Sequence, residues 1–344
     1  MNTITTQTVV GLDIAKRVFQ IHAVDTHGKP TIRKTLKRDQ VSAFFANLPP
    51  CLIGMEACAS AHYWHRQLTG LGHTVKLINP EYVKPYVKTQ KNDARDAEAI
   101  CEAVSRPHMR FVPAKSIEQQ DIQSIHRVRS RLVKQRTGLV NQLRGLLAEY
   151  GCIFPEGIAA VRREVPRFLE DADNELTDLS REVFADLYQQ LCLLDERVKH
   201  YDQKIRTLVN ASPLCRRISA MPGVGPIIAS ALVMAVGDAH EFKNGRHLAA
   251  WIGLVPRQHS SGGKTRLAGI SKHGDRYLRM LLVHGARTVA ISARKHPAPA
   301  NVWLRELMER RGFNKACVAL ANKMARQAWV LLAKGENYRI ASAA

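Results

Sequence analysis

The sequence predicts an α/β domain at the N-terminus, followed by a mainly helical remainder. The first third alternates short apolar runs with amphipathic helical patterns, and the middle carries apolar residues at three- and four-residue steps. The last third is helical around glycine-containing breaks. These changes of pattern divide the 344 residues into three predicted regions: 1–114, 115–211 and 212–344.

Five strands are predicted in the N-terminal region, at residues 9–14, 18–24, 31–36, 51–56 and 74–78. Asp39 and Ser60 are predicted to cap two helices, and a third helix is predicted to begin near Asp93. Three hairpin strands, a helix, and then strand–helix–strand–helix is the element order of a ribonuclease H-like fold. A central sheet with helices on its faces accounts for both the apolar and the alternating strands.

The middle region contains two runs with the heptad spacing of a coiled coil. The first consists of Ile125, Val128, Leu132, Leu139, Leu143 and Leu146, and the second of Leu187, Leu191, Leu194, Val198, Tyr201, Ile205 and Leu208. Breaking residues such as Gly157 and Pro166 separate the runs, which predicts an antiparallel helical hairpin. Such seams can pair with a second copy of the chain or satisfy each other within one chain. We expect self-association.

The charge of the chain favours a polyanionic partner. Lys and Arg total 51 against 30 acidic residues, which gives a formal charge of +21. From Glu241 to the end there are 19 Lys or Arg residues and only five acids. Nucleic acid is therefore the expected partner.

A membrane location is not expected. No apolar run approaches the roughly 20 residues of a spanning helix, and the first residues do not resemble a signal peptide. The seven scattered cysteines fit reduced thiols in a cytoplasmic protein. We expect a cytoplasmic protein that associates with the nucleoid when bound to DNA.

Four acidic residues are the candidate metal ligands. Asp13 and Glu56 each follow an apolar strand, where α/β proteins place their sites. Asp93 and Asp96 are three residues apart on a predicted helix and so share a face. Taken singly, each acid has an ordinary explanation as a cap, a solvated strand end or an ion-pair partner. Together they predict a site for Mg²⁺ or Mn²⁺, which prefer oxygen ligands and assist phosphodiester chemistry.

The segment from Met221 to Leu232 has the pattern of a helix-hairpin-helix. Gly223 and Gly225 permit positive φ and would let backbone N–H groups approach a DNA phosphate at the start of the second helix. Such a turn contacts DNA without reading its bases. The alternative is a glycine turn that joins two helices without any ligand.

The segment from Gly253 to Arg266 is predicted to be a basic Gly/Ser-rich loop. Ser260 and Ser261 lie between Arg257 and the pair Lys264 and Arg266. A serine that attacks a phosphodiester needs access and nearby cations, and both are present here. From the residues alone, a flexible basic loop that only grips the DNA backbone is the favoured interpretation, because Ser-Gly-Gly is common loop composition.

The chain resembles the DEDD-type transposases of bacterial insertion sequences related to the Piv and MooV DNA invertases, some of which are known as bridge-RNA-guided recombinases. The resemblance covers nearly the full length. Six stretches carry it: Gly11 to Lys16, Gly54 to Ala57, Ile78 to Pro80, Lys91 to Ala97, Pro222 to Gly225, and Ala249 to Arg257.

The resemblance implies that Asp13, Glu56, Asp93 and Asp96 form the Mg²⁺-binding tetrad of a RuvC-like domain. It also implies a serine nucleophile in the C-terminal transposase domain, which forms a covalent 5′-phosphoserine link to DNA. Alignment from Gly253 places this serine at Ser261, and a one-residue slip would place it at Ser260. Implied partners are donor and target double-stranded DNA, a structured non-coding guide RNA, and further copies of the chain in a dimer or tetramer.

Two other functions fit part of these observations. A structure-selective DNA nuclease would need only the acids and would form no covalent intermediate. A non-catalytic regulator would bind nucleic acid through the same positive charge and would need neither the acids nor the serines.

Overall fold

The computed structural model of the chain describes residues 8–87, 92–296 and 301–339. The chain divides into two compact units, Met1–Ile117 and Glu118–Ala344. The helical middle and the C-terminal region thus fold together in the second unit. Among the described residues, no helix is long and apolar enough to cross a membrane.

The first unit is built on a six-stranded mixed sheet. Its strands are β1 (Val9–Ile14), β2 (Val18–Val24), β3 (Pro30–Lys37), β4 (Leu52–Glu56), β5 (Thr74–Ile78) and β6 (Phe111–Val112). Their order in the sheet is β3-β2-β1-β4-β5-β6. β1, β4 and β5 are parallel, whereas β2, β3 and β6 pair antiparallel to their neighbours. The five predicted strands are all present, and the short β6 was not predicted.

Four helices accompany this sheet: α1 (Val41–Ala46), α2 (Ala61–Gly70), α3 (Pro80–Val83) and α4 (Asp93–Val104). The predicted cap at Asp39 is wrong, because Asp39 lies inside a short 3-10 turn that precedes α1. Ser60 is the N-cap residue of α2, as predicted, but its backbone has a φ of +67° and its side chain makes no capping hydrogen bond.

The two faces of the sheet are packed differently. Leu12 on β1 and Met55 on β4 are buried on the face that also packs against Trp64 and Leu68 of α2. On the other face, a Cβ on Gly11 would lie 2.0 Å from the carbonyl oxygen of Ala97 in α4. The missing side chain therefore lets α4 rest directly on the backbone of β1.

The second unit is mainly helical. It contains α5 (Ile117–Ala148), α6 (Ile158–Glu170), α7 (Asp178–Ala211), α8 (Pro213–Ser219), α9 (Pro226–Val236), α10 (Gly245–Trp251), α11 (Arg276–Lys295), α12 (Val302–Arg311) and α13 (Phe313–Ala333). Its one described hairpin consists of β7 (Pro256–Gln258) and β8 (Leu267–Ile270). The predicted Gly/Ser-rich loop is therefore a β-hairpin, a correction considered with the site below.

The two long helices run antiparallel, as predicted. Arg129 of α5 pairs with Asp202 of α7, and Arg136, seven residues later, pairs with Asp195, seven residues earlier. The two helices therefore run in opposite directions. Phe184, Leu191, Val198 and Ile205 of α7, each seven residues after the last, are buried.

Two parts of the coiled-coil prediction need correction. Helix α6, which was not predicted and contains Pro166, packs Val161 and Val165 into the core between α5 and α7. In α5, Leu147 is buried, whereas the predicted seam residue Leu146 is 42% exposed. Six of the thirteen predicted seam residues are buried within one chain, and the other seven are half-buried or exposed.

A buried histidine connects three helices of the second unit. His126 on α5 is 2% exposed. Its Nε2 lies 3.0 Å from Ser230 Oγ on α9, and its Nδ1 lies 3.0 Å from the Tyr277 hydroxyl on α11. The Ser230 hydroxyl already donates to the carbonyl of Pro226. Nε2 therefore donates to Ser230 and Nδ1 accepts from Tyr277. Burial lowers the pKa of His126 to about 4, so this imidazole is neutral at pH 7.

Candidate active site

Asp13 and Glu56 lie at the same edge of the sheet. β1 and β4 are parallel neighbours with Leu12 opposite Met55, so the next residue on each strand is an acid. Side chains alternate between the faces of a strand. Both acids therefore lie on the face of Gly11, against which α4 packs.

Helix α4 contributes the other two acids. Its first turn is capped by Asn92, whose side chain accepts a hydrogen bond from the N–H of Arg95. Asp93 and Asp96 follow within that turn. The carboxylate oxygens of Asp13, Asp93 and Asp96 lie within 4.8 Å of one another. Residues 88–91, which include the start of the Lys91 to Ala97 stretch, lie outside the described residues.

Glu56 is the predicted acid that does not enter this cluster of three. It ends β4 opposite Ile78 of β5 and is half-buried. Burial raises the pKa of the Cys58 thiol, and the negative charges of Glu56 and Asp13 raise it further. Both acids are thus close to Cys58, a residue to which no sequence motif pointed.

The donor set suits a hard divalent cation. Three carboxylates in such proximity repel one another unless a cation lies between them. Their ligand atoms are all oxygens, which Mg²⁺ and Mn²⁺ prefer and zinc does not require. Asp13 and Asp96 are half-buried and Asp93 is exposed, so the cluster remains accessible to a substrate.

The serine segment is a tight hairpin. Gly262 and Gly263 have φ values of +55° and +76°, and the N–H of Lys264 donates to the carbonyl of Ser261 at 3.0 Å. Two consecutive residues with positive φ are the requirement of a type I′ turn, which glycines meet without strain. The two glycines are therefore explained by turn geometry, in addition to the access that they give to the serines.

The hairpin places the two serines on opposite faces. Ser261 is bridged to Lys264, and the N–H of His259 donates to the carbonyl of Arg266. Because directly paired residues share a face and side chains alternate along a strand, one face carries His259, Ser261, Lys264 and Arg266. The other carries Ser260, whose Oγ accepts from Gln258 Nε2 at 2.9 Å.

The hydroxyl groups of the serines differ accordingly. Ser260 Oγ also accepts from the N–H of Arg266 at 3.4 Å. Within the described part of the second unit, the Ser261 hydroxyl makes no hydrogen bond and the side chain is exposed.

Arg257, Lys264 and Arg266 are exposed as well. His259 was not predicted as a site residue, although its two-residue spacing from Ser261 was a usable signal.

The glycine turn between α8 and α9 has a positive φ at one of its two glycines. Gly223 has a φ of +79°, whereas Gly225 has a φ of −86° and is extended. A Cβ on Gly223 would lie 2.6 Å from the carbonyl oxygen of Gly285 in α11. Packing against α11 therefore explains Gly223. Gly225 is exposed with open space around it and remains the candidate for a phosphate contact.

Known proteins resemble the chain over almost its full length. A DEDD transposase profile of the IS110 type matches residues 10–152, and a profile described as "Transposase IS116/IS110/IS902 family" matches residues 215–302. A "Probable family 20 transposase" of Pseudomonas aeruginosa is 51% identical over 96% of this chain and 98% of its own length.

Two further relatives extend the comparison. The "Transposase for insertion sequence element IS1111A" of Coxiella burnetii is 45% identical over 96% of this chain and 91% of its own length. The more distant "Pilin gene-inverting protein" of Moraxella bovis is 24% identical over 92% of both chains. The first profile includes all four acids, and the second includes both serines and the glycine turn.

Proposed function

This chain belongs to the IS116/IS110/IS902 family of insertion-sequence transposases, and on that premise we propose that it cuts and rejoins DNA through Ser261. The observation that carries the proposal is the hairpin face on which an exposed, unbonded Ser261 hydroxyl lies beside Lys264 and Arg266. The engaged hydroxyl of Ser260 supports Ser261 as the nucleophile and leaves Ser260 as the rival.

In the proposed step, Ser261 Oγ attacks the phosphorus of a phosphodiester. The bond from phosphorus to the 3′ oxygen breaks, which leaves a 5′-phosphoserine link and a free 3′ end. His259, on the same face, accepts the serine proton, and solvent returns a proton to the leaving oxygen. Lys264 and Arg266 hold the phosphate and stabilise the negative charge of the transition state. Rejoining is the reverse attack by a 3′ hydroxyl.

The acidic edge forms the other part of the proposed site. Asp13, Asp93 and Asp96 would hold Mg²⁺, or Mn²⁺ in its place, and Glu56 would complete the set from the neighbouring strand. Such an ion, when bound, supplies charge stabilisation for phosphodiester chemistry. The strand order and the position of the acids support a RuvC-like, ribonuclease H-like assignment for this domain.

The partners are proposed on the same premise. Donor and target DNA would contact the basic hairpin through Arg257, and the turn at Gly223 and Gly225 would contact the DNA backbone. A structured non-coding RNA would select the DNA, and the 19 Lys or Arg residues from Glu241 onward are consistent with such polyanions. The protein would act as a dimer or tetramer, in which the acids of one copy serve the serine of another.

A trapping experiment tests the nucleophile. The protein is incubated with DNA bearing the element ends, the guide RNA and Mg²⁺, and covalent protein–DNA adducts are resolved under denaturing conditions. We expect Ser261→Ala to abolish the adduct and recombination, and the matched control Ser260→Ala to retain both. An adduct formed by Ser261→Ala would overturn the assignment.

A second pair of variants tests the acids. Asp13→Asn should lose cleavage but keep its DNA affinity, whereas Asp25→Asn, in an exposed turn after β2, should keep both. Cleaved DNA with free ends and no adduct in the wild type would indicate a structure-selective nuclease. Binding without cleavage under any divalent metal would indicate a non-catalytic regulator.

A further inference from the structure

A cleft in the second unit lies at the base of the serine hairpin, apart from the tip that carries Ser261. It has a volume of about 940 Å³ and is bounded by α10, α12, α13 and the base of the β7–β8 hairpin. That volume lies within the usual range for ligand-binding pockets. The described residues that line it include four cations, Arg246, Lys315, Lys323 and Arg326, and no carboxylate.

No acidic side chain in the described part of the second unit forms an ion pair with these four cations. All four are exposed, and none forms an ion pair with a residue in the described part of this unit. Four like charges around one cleft repel one another and raise its positive potential. The cleft is therefore suited to a partner that brings several negative charges.

The spacing of the cations fits a chain of phosphates. Lys315 and Arg326 lie eleven residues apart on α13, about 16 Å along the helix axis. Eleven residues are close to three full helical turns, so both cations lie on one face of α13, along which the phosphates of one nucleic-acid strand can run. The backbone of Gly245, the first residue of α10, packs closely against α13, since a Cβ there would lie 2.7 Å from the carbonyl oxygen of Arg326. This contact places Arg246, the next residue, on the same wall of the cleft.

The aromatic side chains of the cleft have different roles. Trp329 is half-buried, and its Nε1 donates to the carbonyls of Ala239 and Phe242 at 3.0 and 3.1 Å, so it holds the fold together. Trp303 is 42% exposed, and Lys323 Nζ lies 4.7 Å from its ring centroid. An exposed indole beside positively charged side chains can stack on a base, provided that the base is not already paired and stacked inside a duplex.

We propose that this cleft binds an unpaired segment of polynucleotide, with a base stacked on Trp303 and phosphates held by Lys315 and Arg326. The cleft includes Pro256, which is five residues before Ser261 and so within about 17 Å of it along an extended strand. A strand bound there lies near the base of the serine hairpin. The inference concerns binding alone and does not require Ser261 to be the nucleophile.

Fluorescence anisotropy tests the cleft with the full-length protein in the presence of a chelator, so that no cleavage occurs. The probes are one labelled sequence prepared as single-stranded DNA, as single-stranded RNA and as duplex DNA. Trp303→Ala should weaken single-strand binding by about 5- to 100-fold, the range of one lost base stack. Trp303→Phe should retain most of the affinity, and duplex affinity should be unchanged in both variants.

The charges are tested by salt dependence. Lys315→Gln combined with Arg326→Gln should reduce the slope of log affinity against log salt by about 1.4 for single strands. The matched control is Arg310→Gln with Arg311→Gln, which removes the same charge from the last turn of α12. This control should leave the single-strand slope nearly unchanged.

The outcomes are distinct. A greater loss with DNA than with RNA in Trp303→Ala assigns the cleft to a DNA strand, and the reverse assigns it to RNA. Unchanged single-strand affinity in Trp303→Ala, an equal loss with the duplex, or an equal slope change in the control would each overturn the proposal.

Discussion

The acidic edge and the serine hairpin are positioned by opposite means. Asp13 lies on β1, two residues after Gly11, whose backbone is in contact with α4. Packing between β1 and α4 therefore fixes the distance from Asp13 to Asp93 and Asp96. Ser261 stands on an exposed hairpin, and its position depends on a two-residue turn. Packed cores resist displacement, whereas exposed hairpins of this length are marginally stable by themselves.

The difference in rigidity between the acidic edge and the hairpin fits the chemistry proposed for each. Several carboxylates that share a cation need a fixed geometry before the cation arrives, because ligand number and spacing determine which ion binds. A nucleophile that must reach a phosphate and later leave it benefits from an exposed support. Substitutions that disturb packing should therefore damage the acidic edge most, and substitutions that disturb backbone conformation should damage the hairpin most.

The largest effect is expected from Gly11→Ala. The added Cβ would lie 2.0 Å from the Ala97 carbonyl oxygen, so α4 must move away from β1 and carry Asp93 and Asp96 with it. We expect a loss of about 3 kcal/mol in the free energy of unfolding, at the upper end for an overpacked core. Urea titration measures this loss, and Mn²⁺ binding followed by electron paramagnetic resonance measures the site.

Gly70→Ala is the control for this variant. Gly70 ends α2 with no atom within 4 Å of its would-be Cβ. This substitution should leave Mn²⁺ binding intact and leave stability unchanged or slightly raised. Equal Mn²⁺ binding in the wild type and Gly11→Ala would show that contact with α4 does not position the acids.

The second largest effect is a dependence of the free energy of unfolding on pH, caused by His126 in the core of the second unit. His126 has a folded pKa of about 4, below the unfolded value of 6.5, so the unfolded chain takes up the proton first as pH falls. Stability from this group is complete above pH 6.5 and is lost as pH falls toward 4. Between pH 7 and pH 5 the loss amounts to about 2 kcal/mol.

Urea titration at the two pH values measures this loss. His126→Gln keeps an amide group for Ser230 or Tyr277 but does not titrate, so its stability should fall less over the same interval. Other titrating groups act on both proteins and cancel in the difference. The same pH dependence in both proteins would show that His126 is not the neutral buried group of this structure.

The sequence predicted the acidic edge better than the hairpin, and the reason is physical. The strands of Asp13 and Glu56 are apolar runs that end in an acid, a local signal that survives in the fold. The pairing of Gln258 with Leu267 depends on a turn between short, exposed, polar segments, which lack such a signal. The sequence therefore predicts a loop for this segment and gives no sign that His259 and Ser261 share a face.

Errors in the helical region have a different origin. Proline in general predicts a break, yet Pro166 lies inside α6, where Val161 and Val165 pack into the core and compensate for the lost hydrogen bond. Leu146 was assigned to the seam in place of Leu147, because apolar residues at adjacent positions leave the buried one undecided. In both cases tertiary packing decided what local periodicity left open.

A smaller effect is expected from Gly262→Val, which tests whether backbone conformation alone positions the hairpin. Gly262 has a φ of +55° and no atom within 4 Å of its would-be Cβ, so only the backbone conformation opposes a side chain. A β-branched residue at positive φ destabilises the turn by about 1 to 2 kcal/mol, and adduct formation should slow by about 10-fold. Gly262→Asn should be nearly as active as the wild type, because asparagine tolerates this conformation.

Quench-flow trapping of the adduct compares these variants, and urea titration should show nearly unchanged global stability in each. If Gly262→Val unfolded the unit as Gly11→Ala is expected to do, the hairpin would be part of the core and the contrast would fail.

The smallest effect is expected from Ser260→Ala. Its hydroxyl accepts hydrogen bonds from Gln258 and from the backbone of Arg266 on the face opposite Ser261, so its loss removes about 1 kcal/mol of hairpin stabilisation or less. Because the hairpin is still closed by the turn at Gly262 and Gly263, the rate of adduct formation should fall by less than about 5-fold. Ser260→Thr, which keeps the hydroxyl, should restore the rate. Loss of the adduct in Ser260→Ala, with the adduct retained in Ser261→Ala, would reverse the two roles and would place the nucleophile on the face without His259, Lys264 and Arg266.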